Sequence, residues 1–206
     1  MTSKVDERLL VHPKDRAAWR AWLEENHRVS GAIWLVYDKK ASGRTRLDYA
    51  HAVEEALCFG WIDSVLNPID EHRYKQLFSP RKPTSEWSAL NKRRVEKLIA
   101  EGLMTEAGLA VIRVAKKNGT WSKLDHVEAF VVPDDLARAL SASAKAKKFF
   151  DTCAPSVRKA FLHRINSAKR PETRAFRVAE VVEGCALGLG GRAWYEWRNA
   201  RAKARK

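Results

Sequence analysis

Six residues of the chain have the types and spacing for ligand recognition: Trp61, Asp63 and Tyr74 in one stretch, then Arg81, Trp87 and Asn91 after it. Aromatic walls carrying a few fixed polar groups are what small-ligand pockets contain. Asn91 stands four residues after Trp87 and four before Val95, which puts an amide on the apolar face of a helix. The same side chains can instead make a buried network, with Asp63 or Asn91 tying down backbone groups or pairing with Arg81. A second set lies at the end of the chain, where Arg192, Trp194, Trp197, Arg198, Arg201, Lys203, Arg205 and Lys206 interleave indoles with cations. Cations release counterions from phosphates and indoles stack on bases, so this segment is a candidate polyanion surface for weak contact with nucleic acid or an anionic membrane face. The competing reading is a solvated terminal helix whose tryptophans dock on the core.

No catalytic set emerges. Asp63-Ser64 with His72 nearby suggests a hydrolase, but strand alternation turns Ser64 away from Asp63 and His72, and a nucleophile must lie within hydrogen-bond reach of its base. No Gly-x-Ser-x-Gly elbow surrounds Ser64, and Cys58 has no identifiable base. The histidines, His12, His27, His51, His72, His126 and His163, have no metal-ligand spacing with Cys, Asp or Glu, so neither metal nor cofactor is expected. Gly188-Leu189-Gly190-Gly191 follows a helix and reads as a flexible joint, with no phosphate-binding loop elsewhere.

The elements that must position these residues come from a chain of 206 residues, 45% hydrophobic, long enough for a full core. Its formal charge of +14 is segmental: residues 1–72 carry 10 basic and 12 acidic side chains, residues 157–206 carry 13 and 4. Such a distribution permits a polyanion-facing surface without requiring one. Cys58, Cys153 and Cys185 are scattered in apolar or small-residue contexts, which predicts buried thiols in a reducing compartment. No stretch reaches the roughly 20 apolar residues of a membrane span, and the first ten residues lack the pattern of a secretory leader, so the expected location is cytoplasmic.

Along the chain, Pro13 with Trp19, Trp22 and Leu23 predicts an amphipathic first helix ending near Arg28. Residues 31–37 read as a buried strand bounded by the turn-like Ala41-Ser42-Gly43, and Asp48 caps a following helix. Residues 61–66 and 71–78 form a predicted hairpin turning at 67–70; with Leu66 opposite Glu71, Trp61, Asp63, Val65, His72, Tyr74, Gln76 and Phe78 share one face. Ser85 opens a helix that Gly102 closes, and Thr105 one that Gly119 closes. Further helices are predicted over 134–140, 144–150, 155–165 and 171–183.

Certain blocks are familiar. Leu57-Cys58-Phe59-Gly60-Trp61-Ile62-Asp63-Ser64, then Phe78-Ser79-Pro80-Arg81-Lys82-Pro83 with Ser85, Trp87, Ser88 and Asn91, resemble central blocks of the YdeI/OmpD-associated (bacteriocin-protection) family. Gly102-Leu103-Met104, Gly108, Ala115-Lys116 and Gly119 with Trp121 continue the likeness, and Ala168-Lys169-Arg170-Pro171-Glu172-Thr173-Arg174 resembles its C-terminal block. The resemblance spans about residues 22–177 and leaves out the basic end. It implies a bacterial protein linked to bacteriocin protection and antimicrobial-peptide resistance, and it brings no catalytic residues.

The expectation is a helix-rich α+β protein whose small antiparallel sheet lies in the N-terminal half and packs against helices. Residues 1–125 form the core domain, 126–187 a helical part on the same core, and 188–206 a basic tail. The favoured function is non-enzymatic binding of an unidentified small ligand or protein partner. The rivals are a nonspecific nucleic-acid binder using the C-terminal surface and an enzyme with an unrecognised site.

Overall fold

Five helices of this chain begin where a short polar side chain takes an unpaired backbone N–H, and the sheet forms where β-branched and aromatic residues cluster. The structure is a computed structural model that describes residues 8–40, 43 and 47–204. Ala41 and Ser42 of the expected turn, and Arg205 and Lys206 of the basic end, lie outside the described residues. Two compact units divide the chain, residues 1–123 and 124–206.

The first unit holds β1 (Leu10–Val11), α1 (Arg16–Asn26), β2 (Ile33–Asp38), α2 (Tyr49–Cys58), β3 (Trp61–Pro68), β4 (Arg73–Pro80), α3 (Ala89–Ala100) and α4 (Glu106–Lys117). Asp15, Asp48, Ser88 and Thr105 cap α1 to α4, each side chain accepting from a backbone N–H two or three residues on. The first helix therefore begins after Asp15 and not around Pro13, and α3 begins after Ser88. Ser85, the expected opener, closes a turn by accepting from the Lys82 N–H at 3.2 Å.

Strand order is β1-β2-β4-β3, with β2–β4 and β3–β4 antiparallel and the two-residue β1 parallel to β2. The expected antiparallel sheet thus gains a short parallel edge, which two residues are too few to announce in sequence. The hairpin is also longer than expected: Pro68 pairs with Tyr74 and Leu66 with Gln76, so the turn lies at 69–72 and Leu66 does not face Glu71. Asp70 makes this turn by accepting from the backbone N–H groups of His72 and Arg73. A bulge between Asp63 and Leu66 adds one residue to β3, so Val65 leaves the predicted face, and His72 sits in the turn. Trp61 and Asp63 keep a common face with Tyr74, Gln76 and Phe78, opposite Tyr37, Leu35 and Ile33 of β2.

That face packs on α1 and α2. Trp19, Leu23, Ile33, Leu35, Leu57, Trp61 and Phe78 are buried there, and the Trp19 indole N–H donates to the Ala52 carbonyl at 3.0 Å. The polar clamp beside this core is Glu55, 2% exposed, which accepts from Arg16 Nε at 2.5 Å and Arg20 Nη1 at 2.8 Å, tying α1 to α2. Gly108 lets α4 approach the end of α2: a Cβ there would lie 2.3 Å from the Cys58 carbonyl oxygen, the same oxygen that accepts from the Thr105 hydroxyl at 2.6 Å.

The second unit is helical: α5 (Asp125–Glu128), α6 (Asp134–Ser141), α7 (Ala144–Thr152), α8 (Pro155–Asn166), α9 (Pro171–Ala186) and α10 (Gly191–Ala204). Its buried apolar side chains, among them Leu136, Phe150, Phe161, Ile165, Val181 and Cys185, form a cluster of their own. Trp194 belongs to that cluster, 5% exposed and edge-on to Phe161 at 4.9 Å. Residues 188–206, set apart as a tail in the sequence, therefore contain a helix anchored in the unit's core. Among the described residues no helix is long and apolar enough to cross a membrane.

Candidate functional site

The six central candidates divide into separate groups. Trp61 is sealed in the core at 1% exposure, its indole N–H donating to the His27 carbonyl at 3.2 Å and its ring edge-on to Trp22. Asp63 is satisfied: Oδ2 accepts from the Tyr49 hydroxyl at 2.9 Å and from Gln76 Nε2 at 2.7 Å. Tyr74 stacks on Tyr37 with ring centroids 4.8 Å apart. Burial, with Tyr74 and Asp63 close by, holds the Tyr37 phenol far above its ordinary pKa. Asn91 Oδ1 accepts from Arg94 Nη1 at 3.0 Å. These four side chains are bonded or stacked within the protein, and Tyr49 and Gln76, which bond to Asp63, carried no spacing that would have singled them out.

Arg81 and Trp87 differ. The backbone N–H of Arg81 donates to the Gly60 carbonyl at 2.9 Å, which fixes the chain as it leaves β4. Its guanidinium lies over the Trp87 ring, 3.6 Å from the centroid, and Nη1 donates to the Glu86 carbonyl at a long 3.3 Å. The residue is 7% exposed, and its buried Nε has no hydrogen-bond partner among the described residues. Burial pushes this cation down to about 10, only partly opposed by the more distant Asp63.

Arg81 lines a cleft of about 160 Å³ whose other walls are Pro83 and the α4 side chains Ala110, Val111 and Val114. Pro83 is held at the mouth, its carbonyl accepting from Asn118 Nδ2 at 2.8 Å and the Thr120 hydroxyl at 3.3 Å. Gly60 also shapes the site: its φ of +75° suits glycine, and a Cβ would meet Val111 at 2.8 Å. An apolar cleft with one buried, incompletely bonded cation can hold a small anion. The α4 walls were missed in sequence because Ala110, Val111 and Val114 read as an ordinary apolar helix face.

Ser64 donates to the Leu77 carbonyl at 3.4 Å and His72 pairs with Glu71 at 3.2 Å, so neither engages Asp63. Among the described residues no three His, Cys, Asp or Glu side chains group to hold a metal. Cys58 and Cys185 are buried and Cys153 half-buried, all as free thiols. Burial pushes Cys58 up to about 11 and Cys185 up to about 12.

The C-terminal candidates are arranged by α10. Arg192 is 90% exposed and pairs with Glu196, while Arg201 pairs with Glu183 and lies over the Trp197 ring. Arg198 lies over Trp194 and Tyr195, and Lys203 is exposed. Because Trp194 is inside, the segment does not present a free row of indoles.

Comparison with known families divides the chain in step with its two units. Residues 11–111 match the model of a domain of unknown function (DUF8412), and residues 129–188 match the model described as Bacteriocin-protection, YdeI or OmpD-Associated. No curated protein and no solved structure matches the chain. The familiar blocks at 57–64 and 78–91 fall within the first match, and the block at 168–174 falls within the second. The similarity to the bacteriocin-protection, YdeI or OmpD-associated family thus lies in residues 129–188, the segment that contains α6 to α9.

Proposed function

We propose that this protein is a non-enzymatic binder of a short aliphatic carboxylate, held by Arg81 in the cleft against α4, and that it serves bacteriocin protection in this capacity. The protective role is the one the family's description names. The binding role rests on one observation: Arg81 is buried beside an apolar cleft with Nε unsatisfied and no carboxylate bonded to it among the described residues. Burying a cation costs several kcal/mol, and native proteins normally offset this with a paired, hydrogen-bonded anion. A ligand carboxylate supplies that partner, and the guanidinium fork suits it.

Size and lining narrow the class. A cleft of about 160 Å³ has room for roughly five water-sized groups. Pro83, Ala110, Val111 and Val114 offer no hydrogen-bonding side chain, so the remainder of the ligand is aliphatic. Butyrate has that shape and serves as the probe. The three free thiols fit a reducing, cytoplasmic setting. The rival reading, nonspecific binding of nucleic acid through α10, loses one of its two indoles once Trp194 is counted into the core, and Trp197 is partly buried against it.

Calorimetric titration with butyrate, and with uncharged butyramide as its isostere, tests the proposal on the native chain and on Arg81→Met. Butyrate should bind the native chain, with butyramide and the variant weaker by about tenfold or more, the worth of a charge-assisted pair. Equal affinity of butyrate for the native chain and Arg81→Met would remove the ligand from this cleft.

A further inference from the structure

A different surface, in the second unit, carries more positive charge than its own folding uses. An open groove of about 620 Å³ is lined by Val127, Lys159, Arg164, Trp194 and Arg198, with the hydroxyls of Ser156 and Ser167 on its border. A neighbouring hollow of about 430 Å³ shares Arg164 and Arg198, so these two guanidiniums stand at the boundary between them. Lys159 is paired with Glu128, and Arg164 Nε donates to Glu180 at 2.9 Å. Arg198 has no carboxylate partner among the described residues and lies over the rings of Trp194 and Tyr195. Behind them, Arg177 donates to the Arg164 carbonyl at 2.8 Å and to the Ser167 hydroxyl at 2.9 Å, while its buried Nε has no partner among the described residues.

The charges here do not balance. Of Lys159, Arg164, Arg177 and Arg198, only the first two are ion-paired among the described residues, with Glu128 and Glu180, an excess of two positive charges, while Arg201 at the hollow is matched by Glu183. Burial, and then the neighbouring cation of Arg164, lower the Arg177 pKa despite Glu180. Like charges gathered at a concave surface raise the local potential and attract an anion. A phosphomonoester carries about two negative charges near neutrality, which matches this excess. The rest of the groove is apolar, floored by Val127 and Trp194, and its volume lies in the range of small-ligand sites.

We propose that this groove binds a small phosphomonoester, its phosphoryl group at Arg164 and Arg198 and its organic body along the floor of Val127 and Trp194. The site belongs to the second unit and is independent of the carboxylate cleft at Arg81. Arg177 acts from behind as a positioning residue, holding Ser167 and the end of α8.

Titration calorimetry on the full chain with phenyl phosphate, AMP, inorganic phosphate and adenosine tests this, with each titration repeated in Arg81→Met so that the cleft of the first unit cannot contribute. Phenyl phosphate or AMP should bind in both backgrounds and more tightly than inorganic phosphate, with adenosine weaker by about tenfold or more. Arg198→Ala should weaken binding by about tenfold, whereas Lys145→Ala, which removes an exposed charge of the same unit, should change it less than about twofold. Arg198→Lys, which keeps the charge and loses the fork, should fall between, and thermal unfolding of each variant checks that it folds. Absence of phosphomonoester binding at millimolar concentration would overturn the site. So would equal losses in Lys145→Ala and Arg198→Ala, or tight binding confined to a single-stranded oligonucleotide or phosphatidylglycerol vesicles, because both mark a diffuse basic surface.

Discussion

The Arg81 guanidinium lies 3.6 Å from the centre of the Trp87 ring, and that stack does not replace the hydration the cation loses. A cation over an indole gains about 0.5–2 kcal/mol, less than the several kcal/mol a buried charge forfeits. The site is therefore held together by its surroundings and should tolerate loss of its charge. Arg81→Met should be as stable as the native protein at neutral pH, or up to about 1 kcal/mol more stable. Arg81 is a base whose folded pKa is lowered to about 10, so the native chain gains on the variant as pH rises through that value toward the unfolded one. Denaturant unfolding of both proteins from neutral pH to above 10 checks this. A loss of more than about 2 kcal/mol in Arg81→Met at neutral pH would place Arg81 among the structural groups.

Glu55 tests the opposite case, a buried carboxylate with both partners in place. Glu55→Gln removes the carboxylate that Arg16 and Arg20 share, leaving them Glu54 and Glu24, and should cost about 2 kcal/mol, less than a fully buried pair because both arginines reach solvent. Urea unfolding measures it, and a change below about 0.5 kcal/mol would show that the clamp carries little stability.

The α10 segment should behave as part of its unit. Ending the chain after Leu187 removes Trp194 from contact with Phe161 and uncovers the apolar cluster, at a cost of about 3–5 kcal/mol, the scale of a large core truncation. Gly184→Ala strikes the same contact, since a Cβ would lie 2.7 Å from the Trp194 ring. Both changes should lower the melting temperature of the second unit. A truncated chain that unfolds like the native one would return α10 to the status of an appendage.

Asp135 supplies an acid-side test. Arg174 donates to it through Nε at 2.6 Å and Nη2 at 3.0 Å, and these bonds hold its carboxyl below the ordinary 3.8. A depressed folded pKa contributes stability above the unfolded value, and that stability is lost as pH falls through the folded one. Both side chains are about one-third exposed, so screening limits the pair to about 0.5–1 kcal/mol. Asp135→Asn should lose that amount at neutral pH and draw level with the native chain in strong acid. An unchanged difference across the acid range would contradict the pairing.

Burial raises all three thiols, Cys58 to about 11 and Cys185 to about 12, and only Cys153 is half-buried, so alkylation of the folded chain should begin there. Mass spectrometry after brief iodoacetamide treatment reads the order, and modification of Cys58 ahead of Cys153 would show local opening at the end of α2.

Much of the fold was legible because its signals are local. Asp48, Thr105, Gly102 and Gly119 mark helix ends by cap chemistry, and the helices of the second unit follow from apolar period and proline placement. What escaped depends on distant partners. The edge strand Leu10–Val11 exists through its pairing with β2, and the hairpin register is set by a bulge and by Asp70 in the turn. At the candidate site, aromatic and polar residue types singled out Arg81 and Trp87, which stack on one another. The same types at Trp61, Asp63, Tyr74 and Asn91 turned out to be bonded within the protein, because a side chain's type does not tell whether a neighbour already satisfies it. The cations of α8 and α9 that meet α10 were hidden in a general excess of charge.

The unsatisfied Nε of Arg81 can be watched directly, in the arginine Nε–H region of a ¹⁵N–¹H correlation spectrum, with its signal assigned by its absence in Arg81→Met. Addition of butyrate should move that signal downfield in a saturable way as the carboxylate becomes its partner, while the Nε–H signal of Arg16, already bonded to Glu55, stays in place. An Arg81 signal that does not respond to butyrate, or one that moves no more than that of Arg16, would contradict the carboxylate site.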